Sequence, residues 1–194
     1  LAETEQRRAL TVKRRSKNNI KTIALVGYTN TGKSTLLNKL TGANVLEKDA
    51  LFATLDPTAR KVTFGGIDFL LVDTVGFLQD LPHDLVEAFK STLESALNCD
   101  LALIVCDATG DYDMQFRTTM DTVGELGFDR PYLKVLNKCD GLDDLTPFSD
   151  FVCISAKYGQ GLNELENKII DKFRGMFTVC SLAVPYSEIS AFSR

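Results

Sequence analysis

The sequence predicts an α/β fold with a mostly parallel central sheet, one antiparallel strand and helices on both faces. Between residues 20 and 175, short apolar segments alternate with segments of helical period, as strands and crossover helices do. Two strand-like segments are joined only by Gly65-Gly66, a hairpin signal that predicts one antiparallel pair. The first strand runs through a glycine-rich loop directly into a helix, which is typical of ligand-binding folds of this class.

The predicted strands and helices follow one another in a regular order. Apolar segments indicate strands at Ile20–Val26, Lys61–Phe64, Ile67–Val72, Leu101–Cys106, Tyr132–Leu136 and Phe151–Ile154. Amphipathic periodicity indicates helices at Ser34–Leu40, Asp84–Leu97, Met114–Leu126 and Leu162–Phe173. Gly127 and Gly175 are placed to end the last two helices. The spacing before Ser155 leaves room only for a turn or short 3₁₀ piece near Leu142–Phe148.

The segments that flank residues 20–175 differ from this predicted domain. Residues 1–19 lack glycine and proline and predict a charged helix or linker from a missing N-terminal region. Residues 1–21 have a net charge of +5, which leaves −9 for the rest of the chain. This basic segment could contact an anionic partner such as RNA or could be a solvated helix, and both alternatives stay open. Residues 176–194, with a strand-like stretch at Leu182–Pro185, are expected to begin a C-terminal segment.

Composition narrows the class of protein. Apolar residues make up 44% and charged residues 25% of the 194 residues, as in soluble globular proteins. The longest apolar runs are far too short to cross a bilayer, and no signal peptide follows Leu1, so a trimmed chain is expected. The five cysteines are scattered singly, which argues against a disulfide framework or a zinc site and favours a reducing, cytoplasmic compartment. We expect a monomer.

Residues 27–34 read GYTNTGKS and match the phosphate-binding pattern G-x-x-x-x-G-K-[ST], which predicts a P-loop NTPase. The glycines let the backbone wrap around a phosphate, and amides at the start of the following helix favour anions. We expect Lys33 to meet the β- and γ-phosphates and the Ser34 hydroxyl to ligate Mg²⁺. The predicted nucleotide contacts of this loop are Gly27, Tyr28, Thr29, Asn30, Thr31, Gly32, Lys33, Ser34 and Thr35.

A second group of motifs predicts which base is bound. Asn137-Lys138-Cys139-Asp140 follows a predicted strand, at the edge of the sheet where such folds bind ligands. A carboxylate at Asp140 can accept hydrogen bonds from guanine N1–H and the 2-amino group, whereas adenine would leave this acid buried and unpaired. Ser155, Ala156 and Lys157 follow the next strand and can close over the base with backbone amides. The order of these motifs behind the P-loop predicts guanine nucleotides, and an ATPase is the disfavoured alternative.

A third motif lies between them, at Asp73-Thr74-Val75-Gly76. Asp73 ends an apolar strand, which is the position of the acid that helps to hold Mg²⁺ in P-loop enzymes. The amide of Gly76 can reach the γ-phosphate, and the absence of a side chain lets the loop move when that phosphate leaves. All four residues are therefore candidate nucleotide contacts.

These motifs, in this order, resemble the Ras-related GTPases, and the residues around them are similar to the HflX family. The similarity rests on GYTNTGKS at residues 27–34, LFATLDPT at 51–58 and DTVGFLQDLPHD at 73–84, and it covers about residues 20–175. Residues 1–19 and Tyr186–Glu188 resemble the segments that flank the G domain in that family. The resemblance implies a GTPase that binds the large ribosomal subunit and splits or rescues ribosomes.

The resemblance also implies a switch segment within residues 43–60, released when Mg²⁺ and the γ-phosphate are lost. Its candidate nucleotide contacts are Phe52, Ala53, Thr54, Leu55 and Asp56. Thr54 would ligate Mg²⁺ through its hydroxyl and help to position water, so Lys33, Thr54 and Gly76 are the candidate catalytic residues. Thr58 is the competing candidate for the switch threonine.

Phe77 stands where many Ras-like enzymes have the glutamine that orients the attacking water. We therefore expect slow hydrolysis until a partner, the ribosome and its rRNA, completes the site. Asn30 resembles the P-loop asparagine of K⁺-stimulated GTPases, so K⁺ is a candidate cofactor, with a role in the loop alone as the alternative. His83, the only histidine, is assigned to partner sensing rather than to base catalysis. The remaining alternatives are a related GTPase with another RNA client, such as tRNA modification, and a GTP-bound scaffold with negligible turnover.

Overall fold

The computed structural model describes residues 20–42, 59–74 and 98–176. These residues form six strands, β1 Lys21–Val26, β2 Ala59–Phe64, β3 Ile67–Asp73, β4 Leu101–Asp107, β5 Tyr132–Asn137 and β6 Val152–Cys153. They also form three α-helices, α1 Lys33–Thr41, α2 Tyr112–Glu125 and α3 Leu162–Phe173. Three short 3₁₀ turns lie at Cys139–Gly141, Thr146–Phe148 and Arg174–Met176.

The strands form one sheet in the order β2-β3-β1-β4-β5-β6. Only the β2–β3 pair is antiparallel, and every other neighbouring pair within these six strands is parallel. The hairpin turn is Gly65-Gly66, where φ is 54° and 80°, a left-handed conformation that favours glycine. The predicted mostly parallel sheet with one antiparallel strand is therefore confirmed.

Helices cover both faces of the sheet, as predicted. On one face, α1 and α3 pack against strand side chains that include Ile23, Leu25 and Phe69. The Phe69 and Phe173 rings meet there, with centroids 5.1 Å apart. On the other face, α2 packs against alternate residues of β1 and β4. Because both faces are covered, β4 is apolar along most of its length and its first six residues are buried. The loops at the carboxyl ends of these strands are thereby held by a rigid support.

The observed elements differ from the predicted ones mainly at their ends. The strand predicted at Phe151–Ile154 is only Val152–Cys153, because Phe151 belongs to a turn in which its N–H donates to the carbonyl of Phe148. The helix α3 has the predicted bounds, but Gly175 does not end it, since a 3₁₀ turn continues through Met176. The helix α2 begins at Tyr112, two residues before the predicted start, and its N-cap is Asp111. Asp111 caps it by accepting the N–H of Met114, a contact that periodicity does not show.

Several predicted elements lie outside the described residues. They are the N-terminal helix or linker at 1–19, the helix Asp84–Leu97 and the strand-like Leu182–Pro185. Gly127 takes a left-handed φ of 74° just after α2, and this predicted helix end is confirmed. The predicted 3₁₀ piece is present at Thr146–Phe148. Within the described part of the chain, no helix combines the length and the apolar character needed to cross a membrane.

Candidate nucleotide-binding site

The loop between β1 and α1 is shaped by close backbone packing. A Cβ added to Gly27 would lie 2.2 Å from the carbonyl oxygen of Val105 in β4, so this position accepts only glycine. Asn30 and Gly32 have left-handed φ angles of 60° and 87°. The Thr31 hydroxyl, which is buried, donates to the carbonyl of Tyr28 at 3.1 Å and closes the turn. The result is a compact loop at the N-terminus of α1, where backbone amides and the helix dipole favour an anion.

Lys33 is buried inside this loop. Its Nζ donates to the carbonyl oxygens of Gly27 at 3.0 Å and of Tyr28 at 2.7 Å. Burial lowers the pKa of Lys33 to about 8, although the nearby Asp73 carboxylate opposes the shift. An ammonium group placed in this way attracts an anion more strongly than one in water. Its predicted contact with the β- and γ-phosphates stays a prediction.

Ser34 and Asp73 come together at the floor of the site. The Ser34 hydroxyl donates to a carboxylate oxygen of Asp73 at 2.7 Å, which joins the start of α1 to the end of β3. A hydroxyl and a carboxylate are hard oxygen donors, and Mg²⁺ typically takes one or two such ligands while phosphates and water supply the rest. The donor set therefore fits Mg²⁺. The buried Thr74 hydroxyl instead donates to the carbonyl of Leu25 at 2.6 Å, so its side chain fastens the loop after β3 to β1.

Asn137 connects the P-loop to the loop after β6, which is the second segment predicted to bind the base. Its side-chain amide donates to the carbonyl of Thr31 in the P-loop at 2.8 Å. Its side-chain oxygen accepts the backbone N–H of Ala156 at 2.9 Å. Asn137 is only 2% exposed, and a Cβ added to Gly32 would lie 2.3 Å from its amide nitrogen. Motifs more than a hundred residues apart in sequence are therefore held at one edge of the sheet by one side chain.

Asp140 and Ser155 form the second connection. The Ser155 hydroxyl donates to a carboxylate oxygen of Asp140 at 2.7 Å. Ser155 itself is buried, and its loop is closed by the N–H groups of Gly159 and Gln160, which donate to its carbonyl at 2.7 and 3.1 Å. Asp140 is exposed in the structure, and its hydrogen bonds to guanine stay a prediction. Its carboxylate is accessible, and any burial would have to come from the base.

The loop after β6 is completed by a close glycine contact and an exposed aromatic ring. A Cβ on Gly161 would lie 2.2 Å from the carbonyl oxygen of Cys153, so this turn requires glycine. Lys157 and Tyr158 are exposed, and the Lys157 ammonium lies 5.0 Å from the centre of the Tyr158 ring. The backbone of Ala156, rather than the Lys157 side chain, is what the structure ties to the other motifs.

The structure also shows a contact of Asp107, a residue that the sequence motifs do not single out. The Nζ of Lys138 lies 2.6 Å from a carboxylate oxygen of Asp107, the last residue of β4. Asp107 and Asn137 are register partners, so this acid stands beside the guanine motif. The available signal was an acid at the end of a buried strand, the same signal that singled out Asp73 at the end of β3.

Part of the predicted site lies outside the described residues. This holds for the switch residues Phe52 to Asp56, including Thr54, for the competing Thr58, and for Val75, Gly76, Phe77 and His83. Tyr28, Thr29 and Thr35 lie in or beside the P-loop as predicted, and all three are partly buried.

Similarity to known proteins agrees with this arrangement. A family model described as 50S ribosome-binding GTPase matches residues 22–138, more than half of the chain. A GTPase HflX of Lacrimispora saccharolytica is 47% identical over 175 residues, which cover 86% of this chain and 41% of that protein. The chain belongs to the HflX family of GTPases. An HflX protein of Caldanaerobacter subterraneus is 45% identical and covers 100% of this chain, which in turn covers 46% of it.

A solved structure supports the fold of this HflX-family domain. A GTP-binding protein of the archaeon Sulfolobus solfataricus, determined in complex with GDP, superposes with a TM-score of 0.67 and 27% identity. The match covers 90% of this chain and 59% of that protein. The present chain spans less than half the length of the HflX relatives named above.

Proposed function

We propose that this HflX-family domain binds GTP and GDP with Mg²⁺ and hydrolyses GTP as a switch that acts on the large ribosomal subunit. The observation that carries the nucleotide part is the position of Asn137, which links the P-loop to both base-recognition loops. The ribosomal part is supported by the resemblance to HflX proteins and by the description of the matching family. The free thiols of the described cysteines fit a cytoplasmic location.

The residues divide into three tasks in this proposal. Lys33 and the amides of the P-loop bind the β- and γ-phosphates and offset their charge. Ser34 and Asp73, already 2.7 Å apart, are the residues that would hold Mg²⁺, which supplies further neutralisation of the phosphate charge. Asp140 accepts hydrogen bonds from the N1–H and the 2-amino group of guanine, and the Ser155 hydroxyl donates to one of the Asp140 carboxylate oxygens. Thr54 and the Gly76 amide would sense the γ-phosphate.

The proposed switch depends on a partner for speed. Phosphoryl transfer needs positioned groups more than covalent chemistry, and Phe77 cannot orient water through a hydrogen bond. Partner-supplied groups accelerate Ras-type hydrolysis by about 10⁵-fold. Splitting or rescue of stalled ribosomes is the work we assign to the complete protein, and residues 1–19 are the segment we expect to contact rRNA.

We expect purified large ribosomal subunits to raise the GTPase rate at least about tenfold over the domain alone, because the partner would complete the site. Phosphate release is measured under multiple turnover with large subunits, with small subunits and without ribosomes, for this chain and for the full-length protein. The small subunits control for nonspecific RNA effects. An unchanged rate with both proteins would contradict the ribosomal proposal. A single-turnover measurement with no phosphate release at all would favour a scaffold that binds GTP without cleaving it.

We also propose that K⁺ is a second cation of this site, near Asn30. Asn30 is exposed within the P-loop, and its backbone is left-handed with φ of 60°. A monovalent cation there would supply the charge that an arginine finger supplies in other GTPases. We expect a severalfold faster hydrolysis in KCl than in NaCl. The Asn30→Gly variant keeps the left-handed turn and should lose this difference while it retains GDP binding. Equal rates of the unmodified chain in the two salts would exclude this role.

A further inference from the structure

We infer that Asp107 is a positioning residue of the guanine site and that it acts through Lys138. This inference deepens the proposed function and rests on it. Asp107 is not part of any of the nucleotide-binding motifs, yet its carboxylate lies 2.6 Å from the Lys138 ammonium. The side chain of Asp107 is 15% exposed and that of Lys138 is 40% exposed. Asp107 is therefore the more buried member of the pair.

Asp107 is itself held rigidly. One of its carboxylate oxygens accepts the backbone N–H of Thr109 at 2.9 Å and the Thr109 hydroxyl at 2.7 Å. Its own N–H donates to the side-chain oxygen of Gln115 at 2.8 Å, and Gln115 is buried on α2. The other carboxylate oxygen faces Lys138. Burial alone would raise the pKa of Asp107, but the hydrogen bonds from Lys138 and Thr109 outweigh it and leave the pKa below its ordinary value. The acid is therefore charged at neutral pH.

The backbone of Lys138 is also constrained. Its φ is 65°, a left-handed value that a residue with a long side chain adopts only where neighbouring contacts impose it. The N–H of Ala108 donates to the carbonyl of Asn137 at 2.9 Å, and Asp140 follows within the 3₁₀ turn Cys139–Gly141. The ion pair extends the Lys138 stem from this turn to the end of β4. The ion pair therefore fixes the Lys138 side chain two residues from Asp140, the acid that we assign to the guanine edge.

Holding the Lys138 side chain in place before the base binds lowers the entropy cost of binding. A free lysine side chain loses more rotamer entropy when it is immobilised than most residues do. Immobilising such a side chain at an interface costs enough to weaken binding about 3- to 10-fold. Because the ion pair with Asp107 already holds the Lys138 side chain, this entropy is not lost again when the nucleotide binds. Loss of Asp107 should weaken GDP and GTP by the same factor, because the base and ribose are common to both, and should leave the chemical step unchanged.

The test is a double-mutant cycle on nucleotide affinity. The variants are Asp107→Asn, Lys138→Met and the double variant, and GDP dissociation constants are measured by titration calorimetry on the full chain. We expect Asp107→Asn alone to raise the Kd about 3- to 10-fold and to add no loss once Lys138 is methionine. KM for GTP should rise with Asp107→Asn, whereas the single-turnover rate at saturating GTP should not change. Asp107→Glu should recover part of the affinity, because it restores the charge.

A second ion pair provides the control. The Lys21 ammonium lies 3.0 Å from Asp100, with side chains 25% and 33% exposed, at the opposite edge of the sheet, where β1 and β4 begin. Asp100→Asn should lower the melting temperature and leave the Kd for GDP unchanged. The inference is overturned if Asp107→Asn leaves the Kd unchanged, if its loss persists in the Lys138→Met background, or if Asp100→Asn causes an equal loss. If the unmodified chain binds no guanine nucleotide, it is the proposed function that has failed.

Discussion

Replacing Lys33 with methionine is expected to abolish measurable nucleotide binding and at the same time to make the nucleotide-free domain more stable. The loss follows from removing the one buried ammonium in the P-loop, the group we expect to contact the phosphates. The gain follows from the burial that lowers the pKa of this lysine to about 8. A shift of this size means that the charged form is disfavoured by about 3 kcal/mol relative to water, and methionine fills the same volume without that cost. The two lost carbonyl hydrogen bonds offset about 1–3 kcal/mol of this cost, so we expect a net gain of up to about 2 kcal/mol.

The measurement combines chemical unfolding with titration of GDP. Unfolding of the nucleotide-free protein in EDTA should show a higher midpoint for Lys33→Met, and the GDP affinity should fall at least about 10³-fold. The difference in stability should also depend on pH. Between pH 8 and 10.5 the unfolded chain binds the Lys33 proton and the folded chain does not, so the stability of the unmodified protein rises across this window. The advantage of the variant should therefore shrink and then change sign, because only the loss of the hydrogen bonds remains.

Lys168→Met is the matched control for this prediction, because Lys168 is exposed on α3 away from the site. It should change neither the midpoint nor the affinity. A Lys33→Met domain that unfolds more easily than the unmodified one would show that the hydrogen bonds to Gly27 and Tyr28 matter more than the burial of the charge. Retained GDP binding would show that the phosphates are bound elsewhere.

The parts of the site that were predictable from the sequence are those with local signals. The P-loop and the hairpin depend on glycines that take left-handed φ angles within a few residues of each other, and such requirements are visible in sequence. The sheet itself was predictable because strands buried on both faces are continuous apolar runs, as in β4. The same reasoning overestimated β6, since Phe151 is apolar in order to pack against the Tyr112 ring, with centroids 5.7 Å apart, and not to extend a strand.

The contacts of the site that could not be predicted from the sequence depend on which strands are neighbours. The contact between Asp107 and Lys138 requires β4 to lie beside β5 in one particular register, and nothing local to either residue states this. The role of Asn137 as a link between three loops is similar, because its partners Thr31 and Ala156 are 106 and 19 residues away. The motif assigned Asn137 to the nucleotide, which stays a prediction, and the structure adds that its side chain also holds two loops together.

Replacing Asp140 with asparagine is expected to change which base the domain accepts. Guanine offers two donors to Asp140, the N1–H and the 2-amino group, and a carboxylate can accept both. The asparagine amide can accept only one of them and turns its own N–H₂ toward the other, which leaves two donors facing each other. Xanthine has a carbonyl in place of the 2-amino group, so it matches the amide. A site built to hydrogen-bond one such edge rejects the mismatched one by about 10⁴-fold, and we expect GDP to weaken by about 10²- to 10⁴-fold and xanthosine diphosphate to become the preferred ligand.

Competition between the two diphosphates for a fluorescent nucleotide measures this exchange directly. Asp144→Asn is the control, because Asp144 lies in the same connection between β5 and β6 and its carboxylate accepts the N–H of Thr146 at 2.8 Å. It should leave the preference for GDP unchanged. Ser155 donates to Asp140 in the free domain, and an asparagine oxygen can still accept that bond, so the geometry of the loop is expected to survive the change. Weaker GDP binding without any gain for xanthosine diphosphate would therefore mean that Asp140 shapes the loop and does not read the base. Unchanged binding of both would mean that the base does not contact Asp140.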